Sequence, residues 1–174
     1  MKKLIFVNGT MGSGKSSVCR ELIKLLPNAV MLDGDWCWYM DPFVVTDETK
    51  KMVVDNICCL LLNYLDATCF ENIVFCWVMH EQEIIDSILS RLDLSDVSFS
   101  CFTLTQSPDV LESRLRKDVD AGLRDTGIIG RSLEKMSHYE KTKSIKINTD
   151  VMNVPEIAEY IAKILDRSLL YSNH

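Results

Sequence analysis

Short apolar runs alternate along the chain with longer segments of helical spacing. Lys3–Val7 is a mostly apolar, β-branched and aromatic stretch of strand length. Runs of similar character recur at Ala29–Leu32, Ile73–Val78, Val97–Leu104 and Ser144–Ile147. The first three predict strands buried on both faces, as in a parallel sheet. Helical spacing marks Lys15–Leu26, Asp47–Leu65, Glu81–Leu92, Pro108–Val119, Ser132–Lys143 and Pro155–Leu170. Ser107-Pro108 predicts a helix start, since Pro fits the first turn and Ser can cap it. Pro155-Glu156 partly repeats that grammar. Strands alternating with helices predict a parallel sheet covered on both faces, in one α/β domain over residues 1–174. No repeat, low-complexity tract or linker interrupts the pattern. The uncharged run Ile57–Leu65 is expected in the core, with packing against a second subunit as the other option, so the oligomeric state stays open.

Charge narrows the partners. Among 174 residues, 19 Lys and Arg against 25 Asp and Glu leave a net charge of −6. A chain this acidic lacks the broad positive field that nucleic-acid or membrane-surface binding needs, though a local cluster can still grip a small anion. Only Leu4–Val7 are apolar between Lys2-Lys3 and Asn8-Gly9, too short a run for a signal peptide. The longest uncharged stretch, Val97–Pro108, falls well below the roughly 20 residues of a membrane span. The 7 cysteines are odd in number and without CxxC spacing, and most sit in apolar runs. That argues against a disulfide framework or zinc site and favours a reducing cytoplasm. His80, His138 and His174 are scattered, so a histidine metal site is not expected.

The strongest chemical signal is Gly9-Thr10-Met11-Gly12-Ser13-Gly14-Lys15-Ser16, which satisfies G-x-x-x-x-G-K-[ST] in full. At ordinary residue frequencies the pattern would arise by chance in roughly 1% of chains this long. It also follows a predicted strand and opens a predicted helix, the context that gives the motif meaning. Glycines admit the close approach of backbone to ligand, and the loop N–H groups with the helix N-terminus converge on phosphate oxygens. Gly9, Met11, Gly12, Ser13, Gly14, Lys15, Ser16 and Ser17 are therefore the candidate nucleotide contacts. Lys15 would reach the β- and γ-phosphates, and the Ser16 hydroxyl would ligate Mg²⁺. The Asn-Lys-x-Asp motif of GTPases is absent. The Ile73–Val78 run leads into Met79-His80-Glu81 rather than ending on the acid of a motor-type ATPase. The acidic pair comes earlier, at Asp33-Gly34-Asp35.

With Asp33-x-Asp35, Leu111-x-x-Arg114-Leu115-Arg116, and Arg124 and Arg131, the chain resembles the small P-loop kinases of the adenylate kinase-like group. The gluconate kinase, shikimate kinase and chloramphenicol phosphotransferase branches are the most similar. The resemblance implies a P-loop NTPase three-layer sandwich, with a five-stranded parallel sheet, helices on both faces and a short lid at about residues 117–131. It further implies ATP and Mg²⁺, with Asp33 toward the metal and Asp35 as the base that accepts the acceptor proton. Which of the two is the base stays open. Arg114 would pack on adenine, near a base-enclosing loop at Ile147–Asp150. A solvated Asp-Gly-Asp turn is the plainer reading of the pair. Five cations from Arg114 to Arg131 stand out in an acidic chain, and planar guanidinium forks match a phosphoryl group in transfer. Arg124 and Arg131, within a stretch holding Gly122, Gly127 and Gly130, are the candidates for stabilising that charge. Arg116 and Lys117 are expected on a solvated helix face beside Asp118.

The acceptor region should span about residues 36–70. Trp36, Trp38, Tyr39 and Phe43 follow the acidic pair and could wall an organic substrate. Only Lys50 and Lys51 are cationic there, whereas nucleoside monophosphate and shikimate kinases generally bring cations to that region. His80 and Glu81 could also reach the acceptor, although a solvated helix start explains them as well. The expected function is an ATP-dependent kinase acting on a small-molecule hydroxyl, one without a phosphate group. A non-catalytic ATP-binding sensor and a nucleoside monophosphate kinase are the alternatives. A kinase of protein or nucleic-acid ends is disfavoured by charge and length.

Overall fold

The computed structural model describes residues 1–171; His174 lies outside the described residues. Five parallel strands form one sheet: β1 (Lys2–Gly9), β2 (Ala29–Asp33), β3 (Asn72–Trp77), β4 (Val97–Thr105) and β5 (Ile145–Asn148). Their spatial order is β2-β3-β1-β4-β5, with β1 at the centre. The five-stranded parallel sheet, with helices on both faces, is the architecture expected from the alternation of apolar runs.

Side chains alternate across β1. Ile5 and Val7 point to one face, where α1 (Lys15–Leu25) and α7 (Val154–Tyr171) supply Val18, Leu22, Ile157 and Ile161. Leu4 and Phe6 point to the other, under α2 (Asp47–Asp66) and α3 (Gln82–Leu89), which supply Val53, Ile57, Leu61 and Ile85. Both faces are covered, which is why the strands are apolar at successive positions. The Ile57–Leu65 run goes into this core: Ile57, Cys58 and Leu61 are buried, and Leu60, Leu62, Tyr64 and Leu65 pack against them.

One element is added and two local expectations are corrected. A 3-10 turn at Gly34–Trp38, unmarked in the apolar pattern, follows β2 directly. Ser107 does not cap α4 (Pro108–Asp120) with its side chain; its N–H instead donates to Asp150 Oδ1 at 2.9 Å. The helix expected over Ser132–Lys143 starts earlier and is two pieces, α5 (Ile128–Glu134) and α6 (Met136–Glu140), joined at Lys135. Ile128 is drawn into a satellite core with Leu111 and Leu115 of α4, which extends the helix upstream through Gly130.

Candidate active site

The parallel register sets Asn8 of β1 beside Trp77 of β3, and Cys76 beside Asp33 of β2. The glycine-rich loop, the acidic pair and the end of β3 therefore share the carboxyl edge of the sheet, where open α/β sheets bind ligands. Asn8, fully buried and missed from sequence, locks this edge. Its amide donates to the Met79 carbonyl at 2.7 Å, and its carbonyl oxygen accepts from the N–H groups of Gly9 and Met79, both at 2.8 Å. A polar residue between an apolar strand and Gly9 was its only signal.

Two loop glycines have distinct physical reasons. Gly14 caps α1 at φ 88°, in the left-handed region open to glycine. At Gly12 a Cβ would come within 2.7 Å of Leu115 Cδ2, because α4 lies over the loop. Met11, Gly12, Gly14, Lys15, Ser16 and Ser17 line a cleft of about 420 Å³, and Asp35, Arg114, Lys117 and Arg124 close it from other elements. Gly9 and Ser13 do not line it. Gly9 is pressed against the Leu104 carbonyl, and the Ser13 hydroxyl is buried without a hydrogen-bond partner among the described residues.

Lys15 Nζ donates to the Thr10 carbonyl at 2.9 Å, which holds the ammonium at the floor of the loop. Desolvation pushes its pKa below the ordinary lysine value, while Asp35 and Asp33 are among the groups that oppose the shift. Ser16 Oγ donates to Asp33 Oδ2 at 2.5 Å, and Asp33 Oδ1 accepts the Asp35 N–H at 3.1 Å. Asp33 is buried, whereas Asp35 opens to the cleft. Partial desolvation and the neighbouring Asp33 carboxylate raise the Asp35 pKa, with Lys15 and Arg124 pulling it back.

Trp77 explains the glycine between the two acids. A Cβ at Gly34 would lie 2.5 Å from the Trp77 ring, so the turn carrying Asp35 lies flat on the indole. The buried Nε1–H of that indole has no acceptor at hydrogen-bond geometry among the described residues, yet it faces Asp35 closely enough to favour the carboxylate. Gly34→Ala is therefore expected to cost about 1–3 kcal/mol of stability, the usual range for overpacking, and to displace Asp35. Chemical denaturation alongside turnover checks this; an unchanged midpoint would contradict the close packing.

The basic residues divide. Arg124 lines the cleft and donates through Nε to Asp118 Oδ2 at 3.0 Å. Lys117, expected in solvent, lines the same cleft, while Arg116 pairs with Glu112 on the helix surface. Arg114 donates to Thr149 Oγ1 at 3.0 Å and to the Thr149 carbonyl at 2.9 Å, so it is joined to the Ile147–Asp150 loop. Arg131 is elsewhere. It pairs with Asp125 at 2.7 Å and lines a smaller pocket of about 110 Å³ with His80, Lys135 and Tyr139. That pocket adjoins the cleft through Met11 and Val78. Burial, and then the Lys135 charge, lower the His80 pKa. Among the described residues no group of three His, Cys, Asp or Glu side chains could hold a metal ion by itself, and no helix is long and apolar enough to cross a membrane.

A family model described as an AAA domain, AAA_18, matches residues 5–130. The chain belongs to this family. No curated protein matches this AAA-domain chain by sequence. Solved structures do match it in fold. A gluconokinase from Sinorhizobium meliloti is 17% identical with a TM-score of 0.69, over 99% of this chain and 98% of that one. The tunicamycin resistance protein of Deinococcus radiodurans is 19% identical with a TM-score of 0.67, over 95% and 96%. The APS kinase of Mycobacterium tuberculosis is 19% identical with a TM-score of 0.66, over 95% and 98%. At these identities the likeness establishes a shared fold, that of P-loop kinases, over nearly the whole chain.

Proposed function

We propose that this chain is an ATP- and Mg²⁺-dependent phosphotransferase acting on a hydroxyl of a small molecule that lacks a phosphate group. One observation carries the reading: the Ser16–Asp33 hydrogen bond lies in the same cleft edge as Lys15, Asp35 and Arg124. A sensor that only binds nucleotide needs no second carboxylate there. Ser16 and Asp33 present hard oxygen donors to one point, a set that suits Mg²⁺, which takes few protein ligands alongside phosphate and water. When bound, the ion would neutralise phosphate charge. The Asp35 carboxylate accepts the acceptor's hydroxyl proton; the acceptor oxygen bonds to the γ-phosphorus as its bond to the bridging oxygen breaks, and ADP leaves. Lys15 and Arg124 draw charge from the moving group. Asp33 thus serves the metal and Asp35 the proton.

The placement of the cations supports an acceptor without a phosphate. Lys50 pairs with Asp47 at 3.2 Å, Lys51 with Asp55 at 2.9 Å, and Arg91 with Asp55 at 2.7 Å, all at the surface. A second reading, a nucleoside monophosphate kinase, is favoured by Arg131, Lys135 and His80 around the smaller pocket. The residues separate by kinetics. Arg124→Ala is expected to lower kcat about 10- to 100-fold, the loss of one charged hydrogen bond of about 1.5–3 kcal/mol. Arg131→Ala is expected to raise the acceptor KM, as loss of uniform binding does. Equal kcat losses in both would remove the distinction.

The direct test is ADP release by the purified protein with Mg²⁺-ATP and a panel of nucleosides, nucleotides, sugars, sugar acids and antibiotics. Release dependent on an uncharged acceptor supports the proposal. Release dependent on nucleotides alone favours the second reading, and tight ATP binding without any acceptor effect favours a sensor.

A further inference from the structure

We propose that the segment from Trp36 to Val45 is a grip for an apolar portion of the acceptor, so that the substrate class is an amphiphilic or aromatic-bearing alcohol. This rests on the phosphotransferase reading above. The structure divides the aromatic cluster that follows the acidic pair. Trp38 and Cys37 turn inward and pack against the core under α2. Trp36, Tyr39, Phe43 and Val45 turn outward, with exposures of 54%, 97%, 67% and 54%. Met52, on the first turns of α2, is 41% exposed and adds to the apolar surface. Isolated exposed apolar residues need no explanation, but Trp36, Tyr39, Phe43, Val44 and Val45 concentrate exposed apolar side chains on one ten-residue segment, as a binding surface does. Three aromatic rings can each bury about 150–250 Å² when covered.

The segment is held in shape while it presents these rings. Trp38 anchors it from one end, its ring centroid 5.7 Å from that of Phe43. At the other end Thr46 and Thr49 form a reciprocal cap on α2, and the Thr49 hydroxyl also donates to the Val44 carbonyl at 3.0 Å. Both ends of the segment are therefore held, which reduces the ordering cost of binding. Trp36 is the residue after Asp35 and belongs to the same 3-10 turn. An occupant held at Trp36 therefore lies one residue along the chain from the carboxylate that faces the phosphate cleft. The nearby cations are already neutralised by Asp47 and Asp55, so the segment selects by apolar contact rather than by charge. A small amphiphile fits these terms; a second copy of the chain would cover the mouth beside Asp35.

The experiment measures binding of methyl, butyl, hexyl and octyl β-glucosides, below micelle-forming concentrations, to the protein loaded with Mg²⁺ and a non-hydrolysable ATP analogue. Calorimetry and tryptophan fluorescence report binding, in wild type, in Asp35→Asn and in the double variant Trp36→Ser, Tyr39→Ser. Full burial gains about fourfold in affinity per methylene, and about two- to fourfold is expected on this open surface. The gain should persist in Asp35→Asn and flatten in the double variant, whose thermal melting should be unchanged because both side chains are exposed. No chain-length dependence, or one that survives in the double variant, overturns the proposal. So does a concentration-dependent dimer in light scattering that the double variant abolishes, since a second copy is then the occupant. The two readings fail separately. Chain-length dependence without acceptor-driven ADP release with any compound would sink the phosphotransferase and leave the grip. An efficient acceptor with no apolar portion, phosphorylated equally well by the double variant, would sink the grip and leave the phosphotransferase.

Discussion

Asp35→Asn should abolish transfer while leaving nucleotide affinity close to that of the wild type: kcat should fall by at least about 10²-fold, the lower bound for loss of a general base. The asparagine keeps the shape of the turn on Trp77 but cannot take the acceptor proton. Its effect on stability has the opposite sign. Desolvation, and then Asp33, raise the Asp35 pKa in the folded protein, so the folded state holds that proton more tightly than the unfolded chain. Stability from this group is present at low pH and is lost as pH rises from the ordinary carboxylate value through the folded one. At neutral pH the wild-type carboxylate is a liability, and Asp35→Asn should melt no lower than wild type. The acid limb of kcat/KM should lie above the ordinary aspartate value, with activity lost as pH falls through it. Nucleotide titrations, melting and a pH profile check the three parts. Nucleotide affinity lost together with turnover would remove Asp35 from the role of base.

Lys15→Ala is the second large effect, and it should differ in kind. On the proposed reaction the ammonium, which feels both Asp33 and Asp35, would serve bound nucleotide and the transferring group alike. Turnover should fall about 10²–10³-fold, as for loss of a fixed charge-stabilising donor, and nucleotide affinity should weaken with it. The substitution also leaves Asp33 and Asp35 without their nearest cation. Titration with ATP and steady-state kinetics on one preparation measure both; unchanged turnover would refute the phosphate loop as the working site.

The strands and most helices were readable because burial on both faces of a sheet writes itself as consecutive apolar residues. Lys15, Ser16 and the acidic pair could be singled out because the glycine-rich pattern restricts residue type and spacing together, and the structure brings them to one edge of the sheet. Other features were not. The break at Lys135 carries neither Pro nor Gly, and its φ of −83° and ψ of −7° let the helical spacing run on through it. Gly130, read as part of a loop, has open space where a Cβ would be, so a helix passes through it. Arg124 and Arg131 looked alike in sequence; their partners Asp118 and Asp125, and the turn between α4 and α5, send them to different pockets. Gly34 read as a turn residue, whereas its cause, the Trp77 ring, lies 43 positions away in the chain.

The free thiols differ widely in exposure, with Cys37 between the extremes. Cys59 and Cys69 are exposed, whereas Cys19 of α1 and Cys76 of β3 are fully buried beneath the phosphate loop, and burial raises the Cys19 thiol well above its ordinary pKa. Exchange with a colourless disulfide reagent should therefore be biphasic. The fast phase counts surface sulfur, and the slow phase times the rare moments when the layer under the loop opens. A nucleotide seated on the loop should slow that phase, which would make it an internal clock for ligand occupancy that needs no label and no knowledge of the acceptor.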